Sequence, residues 1–593
     1  MQQQTQKPLR IPYGKQNWEE VRLGGYYYVD KTRFIPEIEA ANDYFFFIRP
    51  RRFGKSMLLN MLRQYYDIKK RDLFDRLFGD LWIGQHPTPD RNSYLVLSLN
   101  FSMISGGLQD YQQSLAGHCM RHMTDFCVKY ADLLPANALE GLRSQTTARD
   151  MLEHLVIMAS RTGQKIYLFI DEYDHFTNTI LADAATERAY KAETHGSGTF
   201  RAFFNAIKNG TDLSIGRLFV TGVSPVTMDD LTSGFNIASN YTADPRFNAL
   251  VGFSEAEVRQ MLEYYSHHHA YNHTVDELIE IMKPWYDNYC FSKDSLDEPP
   301  MYNSDMVLYF LSQYLGRGCR LPEDMLDDNI RTDYNKMRML IRKDRGSGRS
   351  AGIIQYIAET GGITAELKKS FPSEDIPKQD NFISLLYYFG LLTIDGQRRG
   401  RTVFRIPNQV VREQMYGYLI EHYREENLTT DEPERDQLMV NMALDGEWRP
   451  YFENIAAAMA RYSSNRDKGK GEAFVHGFTL AETCHTKLYL PISELDTGAK
   501  TYYNDAPLGG YADIYMQPML EIYPDIEHSY VLELKYVPGT ATDAEVEQAH
   551  ATAREQLLRY ERSVVIERTL GHTRLHRLVL VWRGIQLAVA EEL

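Results

Sequence analysis

Residues Tyr44–Ser56 read YFFFIRPRRFGKS, and MLLNMLRQYY carries on from there to Tyr66. The aromatic and branched run, too short for a helix and closed by Arg49-Pro50, predicts a buried strand. From Ser56 onward the apolar residues recur at helical spacing. Strand, tight turn and helix together are the context of a phosphate-binding loop. Backbone N–H groups of Arg52, Phe53, Gly54, Lys55 and Ser56 would point into the turn at a helix N-terminus, which favours an anion. Lys55 would reach the outer phosphates, and the Ser56 hydroxyl would hold Mg2+. Only Gly54-Lys55-Ser56 matches the GxxxxGK[ST] pattern, because Arg49 stands at the first glycine position. Taken alone, the triplet reads equally as an ordinary helix N-cap.

Downstream, Lys165–Asp174 is KIYLFIDEYD, an apolar run that ends in Asp171-Glu172. Asp171 would position Mg2+ and Glu172 would orient or deprotonate the attacking water in phosphoryl transfer. A solvent-facing loop after a strand has the same appearance, but two such motifs at two strand ends point together to ATP. Tyr94–Phe101 predicts another strand and Leu108 to about Tyr130 a helix. Arg217–Gly222, RLFVTG, predicts a further strand, with Thr221 placed to sense the γ-phosphate and Ser224 nearby, although short hydroxyls at strand ends are commonly caps. Arg51, Arg52 and Arg217 are candidate phosphate contacts, none of them placed as an arginine finger. The expected fold is α/β, a parallel sheet binding nucleotide at the carboxyl ends of its strands. Asp30-Lys31-Thr32, upstream of the loop strand, reads either as a neighbour of the nucleotide or as a packed N-terminal segment.

The chain has 593 residues, more than one hydrophobic core usually supports, so two to four domains are expected. A composition of 43% hydrophobic and 24% charged residues is that of a folded soluble protein. The net charge of −15 gives no general attraction to nucleic acid, which would need a local basic groove. Five scattered cysteines without a close CxxC pair suggest a reducing compartment and argue against a Cys-rich zinc site. The start is polar and no apolar run approaches the roughly 18 residues of a membrane span. A cytoplasmic protein without membrane association is expected.

Ser254 to about Leu315 is mostly helical in pattern. His267, His268, His269 and His273 read as a polar loop rather than a metal site, and Trp285–Tyr289 as part of a cover over the sheet. Residues 351–425 change character: a helix ending near Gly390, a strand through Ile394, a polar turn and Val403–Ile406 suggest a winged-helix-like module. Packing on the nucleotide domain is its preferred role, while Arg398, Arg399 and Arg401 on the wing keep DNA contact open. The expected divisions are 1–325 for the ATPase domain, 326–425 for this module, 426–465 for a helical connector and 466–593 for a last domain. SSNRDKGKG at Ser463–Gly471 marks the main boundary.

The last domain holds a second set of chemical residues. Asp513 lies on one probable strand and Glu533 and Lys535 on the next, SYVLELKY; a period of two points Glu533 and Lys535 the same way. An Asp and a Glu on adjacent strands bind Mg2+ through oxygen, and a neighbouring lysine steadies charge on a phosphodiester. Glu472, after the boundary, would add a third carboxylate. Gln556 and Tyr560, four apart on a helix, would contact the strand being cut or support the lysine. A surface strand with alternating Glu and Lys is the plain alternative.

On YYYVDKTRFI, IRPRRFGKSMLLNML, LFIDEYD, VTGVSPV, YYFGLLT with RIPN, and GYADI with LELKY, the chain resembles a bacterial family of AAA-like ATPases with a C-terminal PD-(D/E)xK nuclease-like domain. The resemblance implies ATP and Mg2+, with Mn2+ as a substitute at the second site. Lys55, Ser56, Asp171 and Glu172 would form the nucleotide site; Arg49 in place of the loop glycine is a family-like feature. Glu472, Asp513, Glu533 and Lys535 would form the metal-dependent centre, with Gln556 and Tyr560 in a QxxxY motif. The insertion SELDTGAKTYYNDAPLGGYADI before Asp513 departs from the compact, arginine-containing approach of the family. The implied partner is nucleic acid, DNA favoured over RNA, and both a homo-oligomer and a protein partner fit such a chain. The leading function is ATP control of a nuclease; the alternative is a nucleotide-controlled scaffold or conflict-system effector with a silent nuclease-like domain.

Overall fold

The computed structural model describes residues 7–104, 111–175, 198–226, 237–327, 349–425, 430–462, 472–484, 486–496, 502–503, 506–507, 511–559 and 564–593. The chain divides into two compact units. One comprises Met1–Arg320, Met325–Ser347 and Thr364–Pro407, the other Leu321–Asp324, Gly348–Ile363 and Asn408–Leu593.

The first unit is built on five strands: β1 (Tyr44–Ile48), β2 (Leu95–Asn100), β3 (Ile166–Asp171), β4 (Ile215–Gly222) and β5 (Ser239–Asn240). They lie in the order β2-β3-β4-β1-β5, every pairing parallel. A parallel sheet covered on both faces demands continuous apolar strands, and Phe45 to Ile48 are at most 1% exposed. The Phe45 ring stacks on Phe219 and Tyr241 at centroid distances of 4.9 and 4.5 Å. Burying such a ring contributes about 2 kcal/mol. Helix Ala148–Arg161 feeds β3 and helix Thr199–Thr211 feeds β4, each burying one apolar face. Register sets Ile48 beside Gly222 and Asn100 beside Asp171, so the carboxyl ends of four strands lie level. The segments that leave those ends therefore meet.

Helix Gln379–Tyr388 and the antiparallel hairpin Thr393–Arg398/Arg401–Arg405 also belong to the first unit. Thr393 Oγ1 accepts from Cys290 N at 2.7 Å, and the Tyr387 hydroxyl donates to Phe291 O at 2.9 Å. Gly390 lies flat against the phosphate loop: a Cβ there would sit 2.7 Å from that of Pro50. Arg398, Arg399 and Arg401 are exposed at the hairpin tip.

In the second unit a mixed sheet runs β6 (Tyr489–Asp496), β7 (Tyr511–Pro518), β8 (His528–Val537), β9 (Arg574–Arg583) and β10 (Gln586–Glu592), in that spatial order. Only β8 and β9 pair in parallel, and helix Asp543–Arg559 makes the crossover that such a pair requires. Val546, Ala553 and Leu557 of that helix pack on Tyr515, Val531, Val579 and Val581 of the sheet. Val531 and Val537 face the helix, so the period of two puts Glu533 and Lys535 on the same face. Leu532 and Leu534 are buried on the other.

Candidate functional sites

The phosphate loop begins where β1 ends. Arg49, at the place of the usual glycine, sends its guanidinium backwards: Nη1 donates to Ile48 O at 3.1 Å and to Thr242 O, and Nη2 to Phe247 O at 3.0 Å. Its charge lies 4.3 and 4.4 Å from the Phe47 and Phe291 ring centroids. A side chain is tolerated here because it leaves the turn interior altogether. Gly54 caps the following helix, Lys55–Tyr66, at φ +93°, a left-handed conformation that favours glycine. The Lys55 Nζ donates to Arg49 O at 2.9 Å and Pro50 O at 2.7 Å. Burial pushes this ammonium down to about 8, against the opposing charges of Asp171, Asp174 and Glu172.

Ser56 Oγ donates to Asp171 Oδ2 at 3.0 Å, while Asp171 Oδ1 accepts from Glu172 N at 2.9 Å. Burial raises the Asp171 pKa, partly offset by Lys55. A serine hydroxyl and a carboxylate this close are hard oxygen donors suited to Mg2+. Glu172 takes a left-handed φ of +49° and keeps a side chain 37% exposed, with Oε2 3.8 Å from His175 Nδ1. Asp174 escaped the sequence reading. Its Oδ2 accepts from Ser224 N at 2.7 Å and Val223 N at 3.2 Å, which ties the segment after β3 to the segment after β4. The bare Gly222 makes room for it, since a Cβ there would lie 2.3 Å from Asp174 Oδ1. Only the acidic cluster DEYD signalled it in the sequence.

These groups surround a cavity of about 390 Å3, within the size range of small-molecule sites. Arg52, Phe53, Gly54, Lys55, Ser56, Asp171, Glu172 and Asp174 line it, and so do Tyr27, Val29, Lys31, Val251 and Met261. Arg52 Nη1 donates to Asp305 Oδ2 at 2.8 Å. The Phe53 ring meets Tyr289 and Phe291 edge-on. Thr221 is fully buried and does not line the cavity: its hydroxyl donates to Phe47 O at 2.6 Å, joining β4 to β1.

The second unit brings three of its expected residues together. β7 and β8 pair antiparallel with Ile514 opposite Leu532, which makes Asp513 and Glu533 the next positions along. Asp513 Oδ2 accepts from Leu534 N at 2.7 Å, and Lys535 Nζ donates to Glu533 Oε1 at 2.7 Å. Glu533 is 1% exposed; a carboxylate so deeply placed needs a cation, and Lys535 supplies one. Two carboxylates on adjacent strands also fit Mg2+ or Mn2+ as oxygen donors. Gln556, on the helix that covers this face, has a buried Oε1 with no hydrogen-bond partner among the described residues. Glu472 opens helix Glu472–Cys484, but its side chain, like Tyr560, lies outside the described residues. Among the described residues, no group of three or more His, Cys, Asp or Glu is placed to hold a metal ion.

The family model described as predicted AAA-ATPase matches residues 12–232, and that of the PD-(D/E)XK nuclease superfamily matches 480–592. The chain joins an AAA-ATPase-like domain to a PD-(D/E)XK nuclease superfamily domain. An uncharacterized protein of the vnfD 5' region in Azotobacter chroococcum is 28% identical over 261 residues, 42% of this chain and 44% of that protein, so the match spans less than half of the relative. Among solved structures, a Walker-type ATPase of Pyrococcus abyssi is similar at 12% identity and a TM-score of 0.39, over 69% of this chain and 98% of that one. An ORC2 protein of Aeropyrum pernix, in ADPNP and ADP complexes, is similar at 12% identity and a TM-score of 0.24, over 71% and 97%.

In the ATPase-like domain two expectations need correction: Thr221, expected at the γ-phosphate, is buried off the cavity with its hydroxyl on Phe47 O, and Arg217 lies at the wrong end of its strand. Arg217 is no phosphate contact: it sits five residues before Gly222, roughly 16 Å from the strand end at the rise of a β-strand. There it is held by Asp90 at 3.1 Å and Asp43 at 3.4 Å. No helix among the described residues is long and apolar enough to cross a membrane.

Proposed function

We propose that the ATPase-like domain binds and hydrolyses ATP and that its nucleotide state controls Mg2+-dependent phosphodiester cleavage by the nuclease-superfamily domain, with DNA favoured over RNA. The observation that carries the reading is the convergence of Lys55, Ser56, Asp171 and Glu172 on one cavity at the level carboxyl ends of β1 and β3.

On binding, phosphate oxygens would replace the Arg49 and Pro50 carbonyls as acceptors for Lys55. Arg52, Phe53 and Gly54 would present backbone N–H groups at the helix N-terminus. Ser56 and Asp171 would hold Mg2+, which supplies charge neutralisation to the phosphates. Glu172, with its exposed carboxylate, would orient and deprotonate water. Thr221, its hydroxyl spent on Phe47, would act only by fixing β4 to β1. In the second centre Asp513 and Glu533 would hold Mg2+ or Mn2+, with Glu472 assisting, and the bound metal would stabilise charge on the phosphodiester. Lys535 would align the nucleophile, and Gln556 and Tyr560 would contact the substrate strand. The protein would work in the cytoplasm, with room for self-association or a protein partner. The winged-helix-like segment, packed on Pro50 and Phe291, is best read as a cover of the nucleotide domain.

The test is cleavage of single- and double-stranded DNA and RNA in Mg2+ or Mn2+, with and without ATP, by wild type, Lys55→Ala and Asp513→Ala. Expected is cleavage lost in Asp513→Ala and ATP-dependent only when Lys55 is present. ATP hydrolysis without any cleavage would replace this reading by that of a nucleotide-controlled scaffold.

A further inference from the structure

Asp30-Lys31-Thr32 has so far no role in either centre. Asp30 and Thr32 shape a turn: Asp30 Oδ1 accepts from the Thr32 amide at 2.8 Å and its hydroxyl at 2.6 Å, while Oδ2 accepts from Trp82 N at 2.7 Å. Lys31 emerges from that turn as part of the cavity wall and is only 6% exposed. Its Nζ donates to Glu257 Oε1 at 2.8 Å, Glu257 Oε2 at 2.7 Å and Ala249 O at 3.1 Å. Glu257 Oε2 in turn accepts from Ser254 N at 2.8 Å, closing the capping box of helix Glu255–Ser266. All three ammonium protons are spoken for, so Lys31 binds no ligand itself.

The surroundings show what the pair holds. Val29 comes from the segment before Lys31, Met261 from the helix whose first turn holds Glu257, and Val251 from the loop before that helix; all line the cavity. The Tyr27 ring packs on Tyr264 and Tyr265 at 5.1 and 5.8 Å. Gly252 N donates to Phe53 O at 2.9 Å, which joins the same loop to the phosphate loop. A largely desolvated ion pair adds little net stability, but removing one partner leaves the other charge uncompensated, so the pair keeps the two segments it joins together. This one ties the segment that carries Val29 to the helix that carries Met261, and the hydrogen-bond partners of Lys31 are Glu257 and Ala249, not Lys55, Ser56 or Asp171.

We infer that Lys31 and Glu257 are positioning residues that set the spacing of an apolar slot for the nucleotide base, so that base recognition depends on them and phosphate recognition does not. The inference rests on the reading of the cavity as a nucleotide site. The experiment is calorimetric titration of the full-length protein with ATP, UTP and inorganic tripolyphosphate, for wild type, the double variant Lys31→Met/Glu257→Gln, and Lys31→Arg. The double variant leaves no unpaired buried charge. Expected is an ATP Kd at least tenfold weaker in the double variant, an ATP-to-UTP affinity ratio that falls towards one, tripolyphosphate affinity unchanged within twofold, and partial recovery of ATP affinity in Lys31→Arg. ATP and tripolyphosphate weakening in parallel, or an unchanged ATP-to-UTP ratio, would overturn the inference while leaving the site intact. A folded wild type that binds no nucleotide would overturn the reading beneath it.

Discussion

The two centres are assembled in opposite ways. The nucleotide cavity collects residues from the ends of β1, β3 and β4 and from segments more than 200 residues apart, and its polar groups already satisfy one another: Lys55 holds loop carbonyls, Ser56 holds Asp171, and Arg52 holds Asp305. The nuclease-superfamily centre draws Asp513, Glu533 and Lys535 from two adjacent strands, and one backbone amide, Leu534 N, locks them together. Under the function proposed above, the first would be an exchange site, in which a ligand displaces internal partners. The second is a rigid fork fixed by strand register.

The sharpest test of that contrast is Asp513→Ala, expected to lower cleavage at least about a thousandfold, as for groups whose contribution exists only in the transition state, with ATP affinity unchanged within about twofold. Retained cleavage would remove the fork from the chemistry. Next in size, Lys55→Ala should weaken ATP binding by about a hundredfold or more, since it removes a charge-assisted bond to phosphate and a buried cation beside three carboxylates. Nucleotide titrations of both variants check the pair of expectations.

The exchange character also has a pH signature. Because burial holds the Lys55 ammonium near 8 against an ordinary 10.5, the unfolded chain binds more protons than the nucleotide-free folded one between these values. Stability should therefore rise with pH across that window, by at most about 3 kcal/mol, and the penalty is complete below pH 8. Denaturant melts of wild type against Lys55→Met would show it, the variant lacking this part of the slope. A pH dependence identical in both would mean that Lys55 is already charged and solvated. Smaller still, Gly222→Ala forces a methyl onto Asp174 Oδ1 and Tyr173 and should cost about 1–3 kcal/mol by overpacking, read as a lower midpoint. Least of all, Arg217→Met should leave ATP affinity unchanged within about twofold despite some loss of stability, because its ion pairs lie at the far end of β4; a large affinity loss would put Arg217 back at the phosphates.

How much of this was legible in the chain follows from which interactions are local. The strand Tyr44–Ile48, the helix after Gly54 and the acids after Ile170 were readable because burial, helical period and turn chemistry act over a few residues. Glu533 and Lys535 were readable as a same-face pair for the same reason. Thr221 looked like a phosphate sensor since it ends a strand, but its hydroxyl is claimed by Phe47 on the neighbouring strand, a partner 174 residues away. Arg217 failed as a phosphate contact because it stands at the start of its strand, opposite the carboxyl end where nucleotide was expected, and Asp90 and Asp43 hold it there. Asp174, Arg49 and Lys31 were visible as residues yet not as devices, their partners Ser224, Phe247 and Glu257 being remote in sequence.

By itself, the sequence determined two groupings of chemical residues: a Gly-Lys-Ser turn with an acidic strand end, and an Asp and a Glu on adjacent strands with a lysine. These depend on backbone periods and on residue types that carry charge, both local properties. The tertiary structure alone decided which charged groups reach a cavity and which are spent on holding the fold, because desolvation makes every buried charge find a partner and the partner is set by where strands and helices come to rest.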